Sequence, residues 1–509
     1  MLGKRKLRQE SLFGPVRRET RMSRELGRLK GIIDFGWLRE ACGDKFAPDG
    51  RPSIAPEVLG AMMFLGFWYN IRSDRELCDE CDDRLSFREF IGISDGDEVP
   101  VHSSLTHWRQ RLGKGVFQEF LQYSVGMCSG VGLRPGRCRM FDSSLVKAQA
   151  DAHSPARIDL DPVMCANDYL DALGEWEVEQ PEPNSEDDGS GAGKPTVGKP
   201  KEQTKSSKFR HGGARKKNAK KRLSRGKAIS LNTHDLDAKL LSRPGKKTDF
   251  FHKAHFEFDA SSGLVMNADA GHVFEPVKMV EFLSGESYAV DTAVGDTGYF
   301  DCESQRWLKE NGICSHISVR DNSNNTGRVF GIDAFAYDAA SDRYICPAGV
   351  CLTRQGTSRD GERRYASARG SCADCEYQDY CFQSKRKSDR RQLTACADRE
   401  LIEEARARNC CNRARRLKVK RSVVCEGSIG TMKSYGGLSR ARWLGEEAMA
   451  IQCLMAGVVH NFKKALKHLA RTEKAAAAAA LPAFFSIRAW FFVPKNRNPL
   501  RTAFPLLAA

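Results

Sequence analysis

Three acidic residues far apart in the chain constrain its fold more than any other feature. Glu426 lies in the apolar stretch RSVVCEGSIGTMK, which leads into a helical run reaching about Ala470. Lys433 follows by seven residues, nearly two helical turns, so both side chains project from one face. Asp142 ends the strand-like run Gly136 to Asp142, and Asp296 ends a second, Ser287 to Asp296, within AVGDTGY. Two aspartates at strand ends and a glutamate on a late helix make the layout of a two-metal phosphoryl-transfer site. Asp291 lies close to Asp296 and competes for the second place.

Charge agrees with a polyanionic partner. Lys and Arg exceed Asp and Glu by 81 − 65 = +16 over 509 residues, an excess that favours nucleic acid. The N-terminus is charged and lacks the apolar core of an export signal. The apolar stretch Ala475 to Val493 is broken by Pro482 and Arg488, so no membrane span is expected. A cytoplasmic, nucleoid-associated location follows, and the 18 cysteines read as thiols or metal ligands rather than disulfides.

Helices are expected over Arg24 to Ala41, Ser53 to Tyr69 and Ser73 to Phe90. A further helix from His102, rich in His, Trp and Arg, would be capped by Ser103 or Ser104, and is a candidate DNA contact. Cys78 and Cys81 lie inside a helix with no second ligand pair nearby, which argues against zinc there. Residues 175–227 are acidic and Pro-rich, then basic, with 14 cations against one acid from Lys194 to Lys227. That composition predicts a disordered insertion able to track phosphates. Beyond it, a hairpin around SSG (Phe251 to Ala268), a helix from Pro276 to Leu283, the Asp296 strand, a helix from Ser304 to Asn311 and a strand from His316 to Arg320 make an interrupted α/β core.

Cys346, Cys351, Cys372, Cys375 and Cys381 cluster in polar, loop-like sequence. Four thiolates suit a closed tetrahedral Zn2+ site of structural type; Cys346, Cys372, Cys375 and Cys381 are the expected ligands, with Cys351 spare.

Several stretches together resemble the DDE transposases of bacterial insertion sequences, the group with an InsH-like helical N-terminal domain and an RNase H-like catalytic core. They are SIAPEVLGAMMFLGFWYNIRSDREL, FDSSLVKAQA, GDTGYFD, the block from CPAG to CADCEYQDYC, and EGSIGTMKSYGGLSRARWLG with VVHNFKKAL. The resemblance covers roughly residues 15–465 apart from the charged insertion. It implies a helical DNA-binding domain over 1–130 and a core over 136–174, 228–330 and 396–470. The core is interrupted by the insertion at 175–227 and a Cys-rich insertion at 331–395, and a tail follows over 471–509. It places the three acids at Asp142, Asp296 and Glu426, with Asp142 bridging two Mg2+ (or Mn2+) ions and the others each holding one side. Lys433 would take a phosphate, and Arg440, Arg442 and Trp443 flanking DNA. The family's basic residue before the glutamate corresponds to Arg421, out of register. The implied activity is cleavage at element ends and strand transfer to target DNA, by a homodimer or higher oligomer. A stand-alone nuclease of the same fold and a non-catalytic DNA-binding protein are the other classes open to such a chain.

Overall fold

The computed structural model of the protein describes residues 20–46, 52–94, 96–149, 155–159, 228–241, 248–319, 330–357, 363–382, 389–395 and 399–491. The charged insertion at 175–227 lies wholly outside them, as do the first nineteen and last eighteen residues. Among the described residues no helix is long and apolar enough to cross a membrane.

Six helices come first. They are α1 (Arg21–Lys30), α2 (Leu38–Ala41), α3 (Pro56–Trp68), α4 (Asp74–Asp83), α5 (Leu85–Ile91) and α6 (His102–Gly130). Helix α3 is apolar on every side, with Pro56 in the first turn where no N–H is needed, and it is accordingly buried all round. Two of the expected helices are each divided. After α1 the chain turns through Ile32 and Ile33, which are buried, and Asp34 accepts a hydrogen bond from the Gly36 N–H at 2.9 Å. Arg84 is extended (φ −96, ψ 108), and this break separates α4 from α5 so that Phe87, Phe90 and Ile91 enter the core. Helix α6 starts after Val101 with no side-chain cap, so neither Ser103 nor Ser104 caps it, and it bends at Gly113 (φ 63). Cys78 and Cys81 sit in α4, where burial pushes the Cys81 thiol up to about 12.

Strand β1 (Cys138–Lys147) follows. The chain divides into two compact units, 150–251 and the remainder. In the smaller, β2 (Pro155–Asp159) pairs antiparallel with β3 (Ala228–Asn232), and β4 (Lys239–Leu241) pairs with residues 249–251 of β5 (Asp249–Asp259). In the larger unit, β5 forms a hairpin with β6 (Val265–Ala270), and β7 (Thr292–Gly295) and β8 (Cys314–Ile317) run parallel to β1. The order is β6-β5-β1-β7-β8. Helices α7 (Glu275–Ser284) and α8 (Cys302–Glu310) connect these strands. Arg139 on β1 is fully buried among Glu257, Asp259 and Glu286, at 3.4, 3.1 and 3.0 Å. Burial, then the charge of Glu286, holds the Glu257 carboxyl well above its usual range.

The cysteine-rich region is more ordered than its polar sequence suggests. Strands β9 (Ala336–Asp338), β10 (Arg343–Ile345), β11 (Cys351–Thr357), β12 (Arg363–Ser367) and β13 (Gln392–Ala395) form an antiparallel sheet in chain order, with the short helix α9 (Gln378–Cys381) between the last two. Phe335, Tyr344, Leu352, Tyr365 and Leu393 make its core.

Helices α10 (Arg399–Asn409), α11 (Asn412–Arg421), α12 (Gly427–Tyr435) and α13 (Glu446–Phe491) complete the chain. The N-terminal helices share one core with the later elements: Phe64, Phe117 and Phe120 pack in the same cluster as Phe256, Val265, Met455 and Phe462. A polar clasp fixes α13 to that cluster. Asn461 accepts from the Val265 N–H at 2.8 Å and donates to the Val265 carbonyl at 2.9 Å and to Ser124 Oγ on α6 at 3.0 Å. It thereby pairs β6 as a neighbouring strand would. Asn461→Leu leaves both Val265 groups buried and unpaired, and is expected to cost roughly 2–4 kcal/mol, read as a lower denaturant midpoint at unchanged slope.

Candidate active site

Parallel pairing brings the two aspartates together. Cys138, Arg139 and Met140 on β1 stand opposite Thr292, Ala293 and Val294 on β7. The same register carried two residues further sets Asp142 beside Asp296, on strands about 4.8 Å apart. Asp142 is not a strand end, as expected from its sequence, but mid-strand, because β1 continues to Lys147. Asp296 does directly follow β7, and its Oδ1 accepts from the Gly298 N–H at 2.8 Å. Asp291 lies five residues back, about 16 Å along an extended chain, and pairs with Arg137 at 2.8 Å.

Glu426 closes a π turn, Ser422–Glu426, inserted between α11 and α12. In such a turn residues five apart stack, where a regular helix stacks residues four apart. The turn therefore puts Arg421 and Glu426 on one face, which accounts for the apparent misregister of Arg421. Arg421 Nη1 lies 3.4 Å from Asp142 Oδ2, with both side chains largely buried. Burial holds the Asp142 carboxyl above its ordinary value. Arg421 and the Ser143 N–H oppose that shift, and the charges of Asp296 and Glu426 add to it. Each of those two acids thus lies close enough to repel Asp142, and both are exposed.

Two further residues close the floor of the site. Tyr299 is buried, and burial, then Asp142 and Asp296, raise its hydroxyl well above the ordinary value. Cys425, buried beside Glu426, is shifted the same way by burial and Asp142. Tyr299 lies within GDTGYFD, yet nothing in spacing alone marks it, since an aromatic after a strand is ordinarily core.

The expected DNA contacts separate. Lys433 Nζ donates to Ser144 Oγ at 2.6 Å and to the Leu145 carbonyl at 2.9 Å, so it holds β1 just beyond Asp142. Arg440 is exposed, with its backbone bridged to Lys147. Arg442 points inward, donating to the carbonyls of Ile71 and Gly66 and lying 4.1 Å over the Phe67 ring. Burial lowers its guanidinium to about 10. Trp443 packs against the core, with Arg109 of α6 at 3.7 Å over its ring. Arg109 and Trp108, from the helix read as a DNA contact, are likewise buried.

The sulfur-rich pocket gathers all four expected ligands. Cys346, Cys372, Cys375 and Cys381 line one cavity with Arg391; Cys351 does not line it. The Cys346 sulfur accepts from the Val350 N–H at 3.3 Å. Burial raises the Cys381 thiol, Arg391 opposes this, and Cys375, Cys346 and Cys372 add to it. Among the described residues no three acid, histidine or cysteine side chains are oriented to hold one ion, here or at Asp142. At Asp142 the reason is visible: Arg421 supplies the positive charge, and Asp296 is turned onto Gly298.

Comparison with known proteins bears on both ends of the chain. Residues 16–111 match the family model described as a transposase domain, and residues 345–466 match the transposase DDE domain. The second match contains Glu426, Lys433 and the four cysteines. A protein of Rhizobium meliloti, ORF8 in the nfe locus, is 30% identical over 132 residues, which is 25% of this chain. The chain spans 63% of the length of that relative. Among solved structures, the piggyBac transposase synaptic complex with hairpin DNA aligns at 10% identity with a TM-score of 0.31, over 88% of this chain and 74% of that one. That score is too low to bear on the fold. Two transposase family models are thus matched, one toward each end of the chain.

Proposed function

We propose that the protein is an insertion-sequence transposase that binds element ends and carries out DNA cleavage and strand transfer at Asp142, Asp296 and Glu426. The observation that carries this reading is the juxtaposition of the three carboxylates across β1, β7 and the π turn. The order β6-β5-β1-β7-β8, a hairpin joined through β1 to two parallel strands, supports reading this sheet as an RNase H-like core.

The donor set suits a hard divalent cation, Mg2+ or Mn2+, since all three ligands are carboxylates and two are exposed enough to rotate. When bound there, such ions activate the attacking oxygen and neutralise the leaving one. The chain's own residues prepare that site. Asp142 sits at the centre, its burial opposed by Arg421. Arg421, held by Asp142 here, would be able to turn to a phosphate oxygen if Asp142 took a cation as its partner instead. Lys433 holds the Ser144 hydroxyl and the Leu145 carbonyl, and so the direction of Asp142; we read it as a positioning residue. Arg440 is the exposed cation suited to a phosphate.

Glu426→Gln keeps shape and removes a ligand charge. End-specific nicking of a supercoiled donor plasmid with Mg2+ is expected to fall by about 10³-fold or more, equivalent to several kcal/mol. Metal-free DNA binding should stay as in the wild type, because phosphate contacts supply it. Cutting and joining at the wild-type rate by this variant would sink the catalytic reading.

A structural Zn2+ at Cys346, Cys372, Cys375 and Cys381 is the second part of the proposal. Four thiolates on one ion carry net charge −2, and Arg391 lies beside them to offset it. The Val350 N–H on the Cys346 sulfur is the kind of outer contact that orients a ligand thiolate. Elemental analysis should give one zinc per chain, lost in the double variant Cys372→Ser with Cys375→Ser together with thermal stability. Zinc-free protein with four freely titratable thiols would remove the site.

A further inference from the structure

Helix α11 is the most positively charged element of the described chain. Six of its ten residues are cations, Arg413, Arg415, Arg416, Lys418, Lys420 and Arg421, and it carries no acid. Arg413, Arg415, Arg416 and Lys420 are exposed. Among the described residues the contact of Arg421 with Asp142 is the only ion pair that the helix makes.

Stability does not explain this composition. Cations near a helix C-terminus oppose the dipole favourably, but Arg413, Arg415 and Arg416 stand in its first half, where the dipole disfavours them. Arg413 and Arg416 are three apart, and Arg416 and Lys420 four apart, so each pair is a neighbouring like-charge pair that weakens the helix. The buried face is formed by Ala414 and the half-buried Leu417, which pack the helix on the core and leave the stripe Arg413, Arg416, Lys420 outside. The field of these cations reaches the sheet on both sides. Arg413 acts on His316 of β8, and Arg413 and Lys420 act on Cys138 of β1. The helix then runs through the π turn directly to Glu426.

We propose that α11 is a phosphate track for duplex DNA entering the active site, with Arg413, Arg416 and Lys420 as its contacts. This rests on the transposase reading and adds to it the surface that guides the substrate. From Arg413 to Lys420 the helix rises about 10 Å, close to three nucleotide steps of one strand. The end of the stripe lies six residues before Glu426. DNA held along it is delivered to the three carboxylates, and Arg421 is the next cation in line.

The test uses the full chain and a labelled duplex carrying an element end, without divalent metal, titrated across salt concentrations. The triple variant Arg413→Gln, Arg416→Gln, Lys420→Gln should lower the salt slope of binding by about 2.7, three contacts at about 0.9 each. Its thermal melt should match or slightly exceed the wild type, since the three side chains are exposed and their like-charge pairs are removed. The double variant Arg413→Lys, Arg416→Lys should keep the wild-type slope. Arg364→Gln, an exposed cation on β12, serves as a control and should leave the slope unchanged. An unchanged slope in the triple variant, in a chain that still cuts element ends, overturns the track and leaves the transposase reading standing. A loss in the Arg→Lys variant equal to that in the triple variant also overturns it, because charge would then not be the cause. A wild-type chain that binds duplex with an α11-dependent slope, yet never cuts element ends, keeps the track and removes the enzymatic reading.

Discussion

The parallel pairing of β1 and β7 is the constraint on which the candidate site depends. Side chains along a strand alternate faces, so a slip of one residue would turn Asp142 away from Asp296 altogether. The register is held from both flanks. Arg139, three residues before Asp142, is locked among three buried carboxylates from β5 and the segment before β7. Lys433 grips the side-chain hydroxyl two residues after it and the backbone carbonyl three residues after it. A charge cluster inside and a lysine outside thus fix the same strand, and the acid between them has little freedom.

Glu426 reaches this pair through a helix carrying one extra residue. The π turn is a rare single-turn insertion between two α-helices. Its consequence is geometric: it aligns Arg421 and Glu426 on the side facing β1. The arginine then pairs with Asp142, so the most buried of the three acids is neutralised from within the protein. Around it, α13 ties the elements that carry the three acids to the N-terminal helices through Asn461, which bonds β6 and α6 at once. Arg442 and Trp443 extend that joint by entering the core formed with α3 and α6. The helical region and the sheet are consequently one packed body rather than a reader attached to an engine.

The sheet that precedes the glutamate was the least legible part of the fold. Its strands are short and mostly polar, and half of its organisation comes from side chains rather than pattern. Tyr337 and Tyr365 both donate to Asp342 Oδ1, at 2.9 and 2.6 Å, tying three turns of chain through one carboxylate. No periodicity reveals such a clasp, which is why the region reads as loop. The cysteine spacing did indicate that the four side chains share one cavity, since CxxC brings two together locally and the others need only one return of the chain.

The sequence by itself pointed to the three acids that the fold brings near one another, to the helical and strand character of most segments, and to the four cysteines that line one cavity. Each of these is written locally, as hydrophobic period, turn chemistry or ligand spacing. Tertiary structure alone decided which cations face outward. Arg442, Arg109 and Trp443 look like nucleic-acid contacts in a basic stretch, but long amphipathic side chains can as readily cover an apolar core. The exposed stripe of α11 is illegible in sequence for the converse reason, since a charged helix between two loops looks like a solvated face until the strands beneath it are known. Tertiary structure likewise chose Asp296 over Asp291: both flank β7, and only the register against β1 places one of them beside Asp142.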